Sequence, residues 1–303
     1  MIKAILCMFV SLTAAVALAD STSICDRGSV VPFILEAVGA RDCSSVSSDK
    51  LAMLQSLVIS NKSLPSISRN AFAGMKGLRS LILDCNQISA IAPGAFSDLE
   101  SLMVLKLNQN ALTELAPNTF VGLRSLESLD LSFNHLSGLS VNSLSGLVSL
   151  VDLNLSNNEL TQVLPGSLGA LGSLRKLNLS SNHLVEIQSL SLSGPRALVV
   201  LILENNQIAN LIDGMLSDSV SLQVLNLRGN KIKKLSSGLF YGAYALTTVI
   251  LDDNKIEDLQ KNVFADLVSL TELDLYQNPI KEISRSYLGL NDSTFVGGVT
   301  ARP

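Results

Sequence analysis

The chain has 303 residues, of which 47% are hydrophobic and 16% charged, so it can hold one large or two ordinary domains and is too apolar to be disordered. Its formal net charge is −4 and it has no long basic run, which argues against nucleic acid as a partner. Tryptophan is absent and leucine is abundant, so we expect a core built largely from one residue type.

The first residues, MIKAILCMFVSLTAAVALAD, have the three parts of a secretory signal peptide. Lys3 gives a positive start, residues 4–18 are apolar, and residues 17–19 form a small-residue cleavage site. We therefore predict a signal peptide over residues 1–19, Asp20 as the mature N-terminus, and secretion to the extracellular space. The apolar run is shorter than the ~20 residues that cross a bilayer, and no other run is longer, so no membrane span is predicted.

A repeat with a constant period of 24 residues occupies most of the remaining chain. With Leu54 as position 1, position 1 is Leu in ten successive units, position 4 is Leu or Val, and positions 6 and 11 are Leu or Ile. Position 9 is Lys62 in the first unit and Asn in the other nine. These asparagines are Asn86, Asn110, Asn134, Asn158, Asn182, Asn206, Asn230, Asn254 and Asn278. The units cover residues 54–288 without an insertion or deletion, which indicates a stacked repeat architecture.

The repeat positions predict the local structure of one unit. Alternation at positions 4 and 6 favours a short strand whose positions 3 and 5 lie on its opposite face. Where the chain turns out of that strand, backbone groups lose their ladder partners, and the amide of position 9 can both donate to them and accept from them. We therefore expect these asparagines to be structural and to form a ladder between neighbouring units.

The pattern L-x-x-L-x-L-x-x-N-x-L resembles that of leucine-rich repeats. With 24-residue units and Phe at position 19 of several of them, it is similar to the typical repeats of animal extracellular proteins, including Toll-like receptor ectodomains and secreted insect leucine-rich immune proteins. The resemblance implies an α/β repeat solenoid: a horseshoe with a parallel concave sheet of about ten strands and an irregular or short-helical convex side. We interpret the phenylalanines as convex-side core, because large buried aromatics usually pack.

Both ends of such a solenoid need a cover. We predict an N-terminal cap over residues 20–53, closed by a Cys25–Cys43 disulfide, although the family's usual cap has four cysteines. Asn278-Pro279 resembles the family's final repeat before a cysteine-rich C-terminal cap, but no cysteine follows it. Residues 289–303 are therefore predicted as a tail. Three explanations for the missing cap stay open: residues 285–303 cap the end simply, a partner covers it, or the chain is incomplete.

Cys85 is the odd cysteine of the mature chain, at position 8 just past a predicted strand. Three interpretations stay open for it: an unreactive half-buried thiol, a disulfide to a partner chain, or a disulfide to a cap cysteine.

Four Asn-x-Ser sequences, at Asn61, Asn154, Asn178 and Asn291, are candidate N-glycosylation sites in a secreted chain. Asn154 and Asn178 both occupy position 5, so glycans there would cover the middle of the concave face.

No set of residues in the sequence favours catalysis. The two histidines, His135 and His183, are both at position 10 and two repeats apart, hence ~10 Å from each other, which is too far to share a metal ion. No zinc, phosphate-loop or nucleophile motif is present. We predict a protein that is not an enzyme and needs no cofactor.

The predicted concave surface changes character along the chain. Its first units present mainly Ser, Asn and Gln, with Val58, Ile82, Val104 and Phe133 as exceptions. Units 7 to 10 present apolar side chains rimmed by charge, as at protein contacts. This candidate C-terminal patch consists of Val200, Ile202, Glu204, Val224, Arg228, Ile250, Asp252, Asp253, Glu272, Asp274 and Tyr276. Its acidic rim favours a basic partner. The alternative is that β-branched residues here only favour strands.

The function predicted from these features is binding of another protein or an extracellular ligand, in extracellular recognition or innate immunity. An extracellular-matrix or adhesion scaffold is the alternative. A secreted inhibitor of a foreign hydrolase is the third possibility, but the plant motif L-x-G-x-I-P that accompanies that role is approached only at Gly138.

Overall fold

Each repeat forms one turn of a solenoid in the computed structural model, which describes residues 23–188, 190–281 and 284–298. The predicted signal peptide lies outside these residues. In chain order the strands are β1 (Ser56–Val58), β2 (Ser66–Ile67), β3 (Ser80–Ile82), β4 (Ala90–Ile91), β5 (Val104–Lys106), β6 (Ser128–Asp130), β7 (Asp152–Asn154), β8 (Lys176–Asn178), β9 (Val200–Ile202), β10 (Val224–Asn226), β11 (Lys234–Leu235), β12 (Thr248–Ile250), β13 (Asp258–Leu259), β14 (Glu272–Asp274) and β15 (Phe295–Gly297).

Eleven of these strands form one parallel sheet in the order β1-β3-β5-β6-β7-β8-β9-β10-β12-β14-β15. From β1 to β14 each residue pairs with the residue one period later, for example Ser56 with Ser80, so equal repeat positions lie side by side. Two small two-stranded sheets, β2 with β4 and β11 with β13, lie outside the main sheet, and each of their strands begins eight residues after a main-sheet strand ends. The predicted leucine-rich-repeat horseshoe is therefore confirmed.

Helices occur only near the two ends of the described chain. They are α1 (Val31–Ala37), α2 (Ser48–Ala52) and α3 (Arg285–Leu288), together with 3-10 turns at Ile24–Asp26, Gly28–Val30 and Cys43–Ser45. The described convex side of the repeats consists of turns and the two small sheets, so the irregular form of the prediction holds there.

The core is a column of leucines with a stripe of phenylalanine on its convex side. The middle residue of each repeat strand is buried, as Leu129 and Leu177 show, while its two neighbours face the concave surface. Phe72, Phe96 and Phe120 stack with ring centroids 5.9 and 6.3 Å apart, and Phe240 lies 5.5 Å from Phe264. All five rings are at most 1% exposed, so the core interpretation of position 19 is confirmed.

The asparagines of position 9 form the expected ladder. Asn182 donates through Nδ2 to the carbonyls of Leu179 at 3.1 Å, in its own unit, and of Leu155 at 3.0 Å, one unit earlier. Its Oδ1 accepts from the Leu160 amide at 3.0 Å. Asn134 and Asn230 repeat these bonds. Each amide thus fastens its unit to the one before it.

The N-terminal end of the sheet is covered by the first helices and turns. Cys25 and Cys43 form a disulfide with their Cα atoms 5.8 Å apart, within the usual range. Ile24, Val30 and Ile34 are buried against the first repeats.

At the C-terminal end the chain returns to the sheet as β15, an eleventh strand where about ten were expected. Phe295 pairs with Glu272, one residue short of the repeat period, and the segment lacks the leucine pattern, so the sequence did not reveal it. Arg285 Nη2 fixes the preceding loop by donating to the carbonyls of Asn291 at 2.7 Å and Thr294 at 2.6 Å.

Candidate binding surface

The parallel register brings most of the predicted C-terminal patch together on four neighbouring strands. Position 3 forms one row, in which Val200 pairs with Val224, Val224 with Thr248, and Thr248 with Glu272. Position 5 forms a second row that contains Ile202 and Ile250. These rows are described by the pairings of β9, β10, β12 and β14, and their apolar side chains are half-buried on the concave face.

Charged side chains follow the two rows at position 7. Glu204 accepts from Asn226 Nδ2 at 2.8 Å, and Arg228 Nε lies 3.1 Å from Asp252 Oδ2. Asp252 Oδ1 is buried and has no hydrogen bond to the described residues. Glu204 and Arg228 therefore have partners on the surface, while one oxygen of Asp252 does not.

Negative charge accumulates at the last repeat unit. Partial burial raises the pKa of Asp274, and repulsion from the nearby Glu272 and Asp252 raises it further. Asp253, at position 8 of the preceding unit, is exposed and has a left-handed backbone with φ 54°. The C-terminal end of the concave face thus has a surplus of carboxylates.

Sequence reasoning missed one part of this surface. Phe295 on β15, which was not predicted, is 60% exposed beside Glu272, whereas Tyr276, which was predicted, is 53% exposed two residues after Asp274. The missing side chain of Gly297 makes room for the Tyr276 ring, because a Cβ atom there would overlap it. The stretch Phe295–Gly297 lacks the leucine pattern of the repeats, so no sequence signal marked it as a further strand.

The other predicted sites are scattered over the solenoid. Cys85 is exposed, unpaired and at a left-handed φ of 52°, and its Sγ lies 2.6 Å from Gln109 Oε1. Asn61 and Asn291 are exposed near the two ends, whereas Asn154 and Asn178 are half-buried and paired across β7 and β8.

His135 and His183 form no contact with each other among the described residues. His135 Nδ1 lies 2.9 Å from Glu159 Oε1 on the exposed lateral side. No group of His, Cys, Asp and Glu among the described residues is arranged to hold a metal ion. None of the helices in the described ranges is long and apolar enough to cross a membrane.

The repeats match the family model described as "Leucine rich repeat" over residues 76–136, 124–184, 196–247 and 244–295, which is more than half of the chain. The chain belongs to the leucine-rich repeat family. Proteins of this family generally act as binding modules rather than as enzymes. A search of the curated proteins found no significant match for this leucine-rich repeat chain.

Solved structures with the same fold include Toll-like ectodomains. The TLR13–ssRNA13 complex superposes with a TM-score of 0.76 at 26% identity, over 84% of this chain and 38% of TLR13. The Drosophila Toll–Spatzle complex gives 0.64 at 22% identity, over 77% of this chain and 34% of the other. A leucine-rich repeat protein of Leptospira interrogans gives 0.59 at 22% identity, over 84% and 74%. At 22% identity the likeness shows the fold alone, and the chain spans little more than a third of TLR13 and Toll.

Proposed function

We propose that this leucine-rich repeat protein is a secreted recognition module that binds another protein through the C-terminal patch of its concave face, in extracellular or innate immune recognition. The observation that carries the proposal is the double row on β9, β10, β12 and β14, where Val200, Ile202, Val224 and Ile250 lie half-buried on an open sheet face. Apolar side chains inside a charged rim are typical of a protein interface.

The charge of the patch indicates which kind of protein surface it would bind. The carboxylates of Asp252, Asp253, Glu272 and Asp274 outnumber Arg228, the one cation within the patch, so a basic protein surface is the complementary one. The resemblance to TLR13 at 26% identity supports an immune role and an extracellular location, and the predicted signal peptide supports secretion.

Nucleic acid and a covalently linked chain are two further kinds of partner. The exclusion of nucleic acid has no support from the comparisons, because a similar structure, TLR13, is in complex with ssRNA. RNA therefore belongs among the ligands to be tested. The exposed thiol of Cys85 remains our candidate for a covalent link, and the mass of the native protein with and without reductant tests it.

The direct test of the patch is substitution of its two isoleucines. Ile202→Asp and Ile250→Lys place charge in the centre of the double row, and we expect each to weaken partner binding by about tenfold or more, as at an interface hot spot. The measurement is retention of native partner proteins on the immobilised variants, quantified by mass spectrometry against the unaltered chain. Unchanged thermal unfolding would show that the fold is intact.

The matched controls are Ile82→Asp and Ile82→Lys. Ile82 occupies the same repeat position on β3, at the other end of the sheet, and is also half-buried. Partners that Ile82 variants retain and the Ile202 and Ile250 variants lose would support the proposal. Equal retention by all the variants would mean that the apolar residues of β9 and β12 serve strand formation only.

A further inference from the structure

The centre of the concave face has a polar depression that the C-terminal patch does not include. It measures about 250 Å³ and lies across β5, β6, β7 and β8. Its polar lining consists chiefly of Lys106, Asp130, Asp152, Asn154, Lys176 and Asn178. This volume is below the roughly 300 to 1,000 Å³ of sites for drug-sized molecules, so the depression suits one ligand group smaller than such a molecule.

Three side chains in this depression are held in one orientation by the backbone. Asn154 Oδ1 accepts from the Ser156 amide at 3.1 Å, and Asn178 Oδ1 accepts from the Ser180 amide at 3.0 Å. Asp130 Oδ1 accepts from the Ser132 amide at 3.0 Å in the same way. Since the asparagine oxygens are engaged, each amide can rotate little.

The remaining polar atoms of these three side chains have no hydrogen bond to any described residue. They are Oδ2 of Asp130 and Nδ2 of Asn154 and Asn178. The three residues pair in register across adjacent strands, which lie ~4.8 Å apart. The sheet therefore presents an acceptor, a donor and a donor in a fixed row.

The charge of the depression selects against ionic partners. Lys106 and Lys176 are balanced by Asp130 and Asp152, and Lys176 Nζ lies 3.8 Å from Asp152 Oδ2. A polyanion or a polycation would therefore meet charge of its own sign. An apolar ligand would leave the amides and carboxylates without hydrogen-bond partners.

A hydroxyl group fits this lining because it both donates and accepts. Adjacent hydroxyls on one ring can bond to neighbouring acceptors and donors in the row. Phe133, three residues after Asp130 in the chain, is 53% exposed and offers an apolar face of the kind on which a ring can pack.

We propose that the depression on β5 to β8 is a second binding site, separate from the C-terminal patch, which takes a neutral carbohydrate unit. Asp130 accepts from its hydroxyls, and Asn154 and Asn178 donate to them. Glycans attached to Asn154 or Asn178 would occupy the same nitrogens, so attachment and binding exclude one another at this site.

The test uses the full chain produced in a host that does not attach N-linked glycans. Binding is first measured on an array of neutral glucan, mannan, galactan and chitin oligosaccharides, and the best of them is titrated by calorimetry. Asn154→Asp and Asn178→Asp keep the oxygen that accepts from Ser156 or Ser180 and replace the donor by an acceptor. We expect each to weaken binding by about fivefold to tenfold, the value of one or two hydrogen bonds.

The matched control is Asn226→Asp. Asn226 has the same repeat position and the same bond, from the Arg228 amide to Oδ1 at 3.0 Å, but it lies on β10 outside the depression, and its Nδ2 already donates to Glu204. We expect it to bind the oligosaccharide like the unaltered chain, even though the loss of the bond to Glu204 lowers its unfolding temperature. Asn154→Asp and Asn178→Asp are expected to unfold at temperatures similar to that of the unaltered chain.

Three results would overturn the proposal: no oligosaccharide bound at millimolar concentration, binding that Asn154→Asp and Asn178→Asp leave unchanged, or binding of a peptide in place of every sugar on the array. The proposals for the two sites can be tested independently. Ile202→Asp and Ile250→Lys remove the C-terminal patch and are expected to leave carbohydrate binding as it was.

Discussion

At the scale of single residues, the asparagine of position 9 shows how one amide supports a whole repeat. Asn182 is 3% exposed among leucines, a costly place for a polar group without partners. It satisfies backbone groups at the turn of its own unit and of the preceding unit. The side chain is buried because the backbone around it needs both a donor and an acceptor.

Asn182→Ala should therefore destabilise the protein by about 1 to 3 kcal/mol, because the Leu160 amide and the Leu155 carbonyl lose their partner while staying buried. Chemical denaturation followed by circular dichroism measures the effect. His183→Ala is the control at the exposed neighbouring position, with an expected change within about 0.5 kcal/mol. Equal midpoints for both variants would contradict the structural role of the ladder.

At the scale of elements, the phenylalanines of position 19 form stacks rather than isolated contacts. Phe96 lies between Phe72 and Phe120, with nearly parallel rings on both sides. In the middle units the same position holds leucines such as Leu168 and Leu192, which are also buried. The convex turn thus accepts either side chain, and the stack adds contact area where three phenylalanines follow one another.

Phe96→Leu is expected to cost about 1 to 2 kcal/mol, because leucine already serves this position elsewhere in the chain, and Phe96→Ala about 3 to 5 kcal/mol, because it leaves a cavity. Thermal and denaturant unfolding of the two variants provide the comparison. Leu168→Ala is the matched truncation outside a stack. If Phe96→Leu were as damaging as Phe96→Ala, the turn would depend on the ring itself rather than on filled volume.

Some elements of the fold could be predicted from the sequence and others could not. The repeat strands, their register, the ladder and the phenylalanine core follow from the 24-residue period, because each is a property of equal spacing. The strand β15 does not, since its spacing from β14 departs from the period. The contacts of Arg285 with loop carbonyls also leave no pattern in a sequence.

The candidate binding surface was predictable in outline. Repeat arithmetic assigned Ile202 and Ile250 to one row of the concave face, which is where they lie. The fixed orientation of Asn154 and Asn178 was not predictable, because it depends on bonds to the amides of Ser156 and Ser180. In the sequence these residues looked only like glycosylation sites.

At the scale of the whole molecule, most contacts connect neighbouring units, as in other stacked repeats. Damage at one end should therefore stay near that end. The C-terminal end offers a way to measure this, because the loop before β15 is held by the Arg285 guanidinium at the carbonyls of Asn291 and Thr294.

Arg285→Met is expected to free those carbonyls and to loosen β15 without disturbing the central strands. Hydrogen exchange would then accelerate by about tenfold or more at Phe295, whose amide donates to Thr271, as expected for local opening. Exchange at β6 and β7 should keep its rate. Lys261→Met, an exposed substitution in the preceding unit, is the control, and faster exchange throughout the sheet would contradict local coupling.

Because every repeat unit has the same length, a whole unit can be removed without changing the register of the others. Excision of residues 150–173 would join Ser149 to Leu174 and bring Asn182 beside Asn134, with an equivalent partner for every ladder bond. The sheet would close over the gap and lose only what that unit displays, Asp152 and Asn154 among it. Removal of a single residue would instead misplace the ladder on both sides. Binding surfaces in this protein can therefore be shortened, duplicated or moved in whole units.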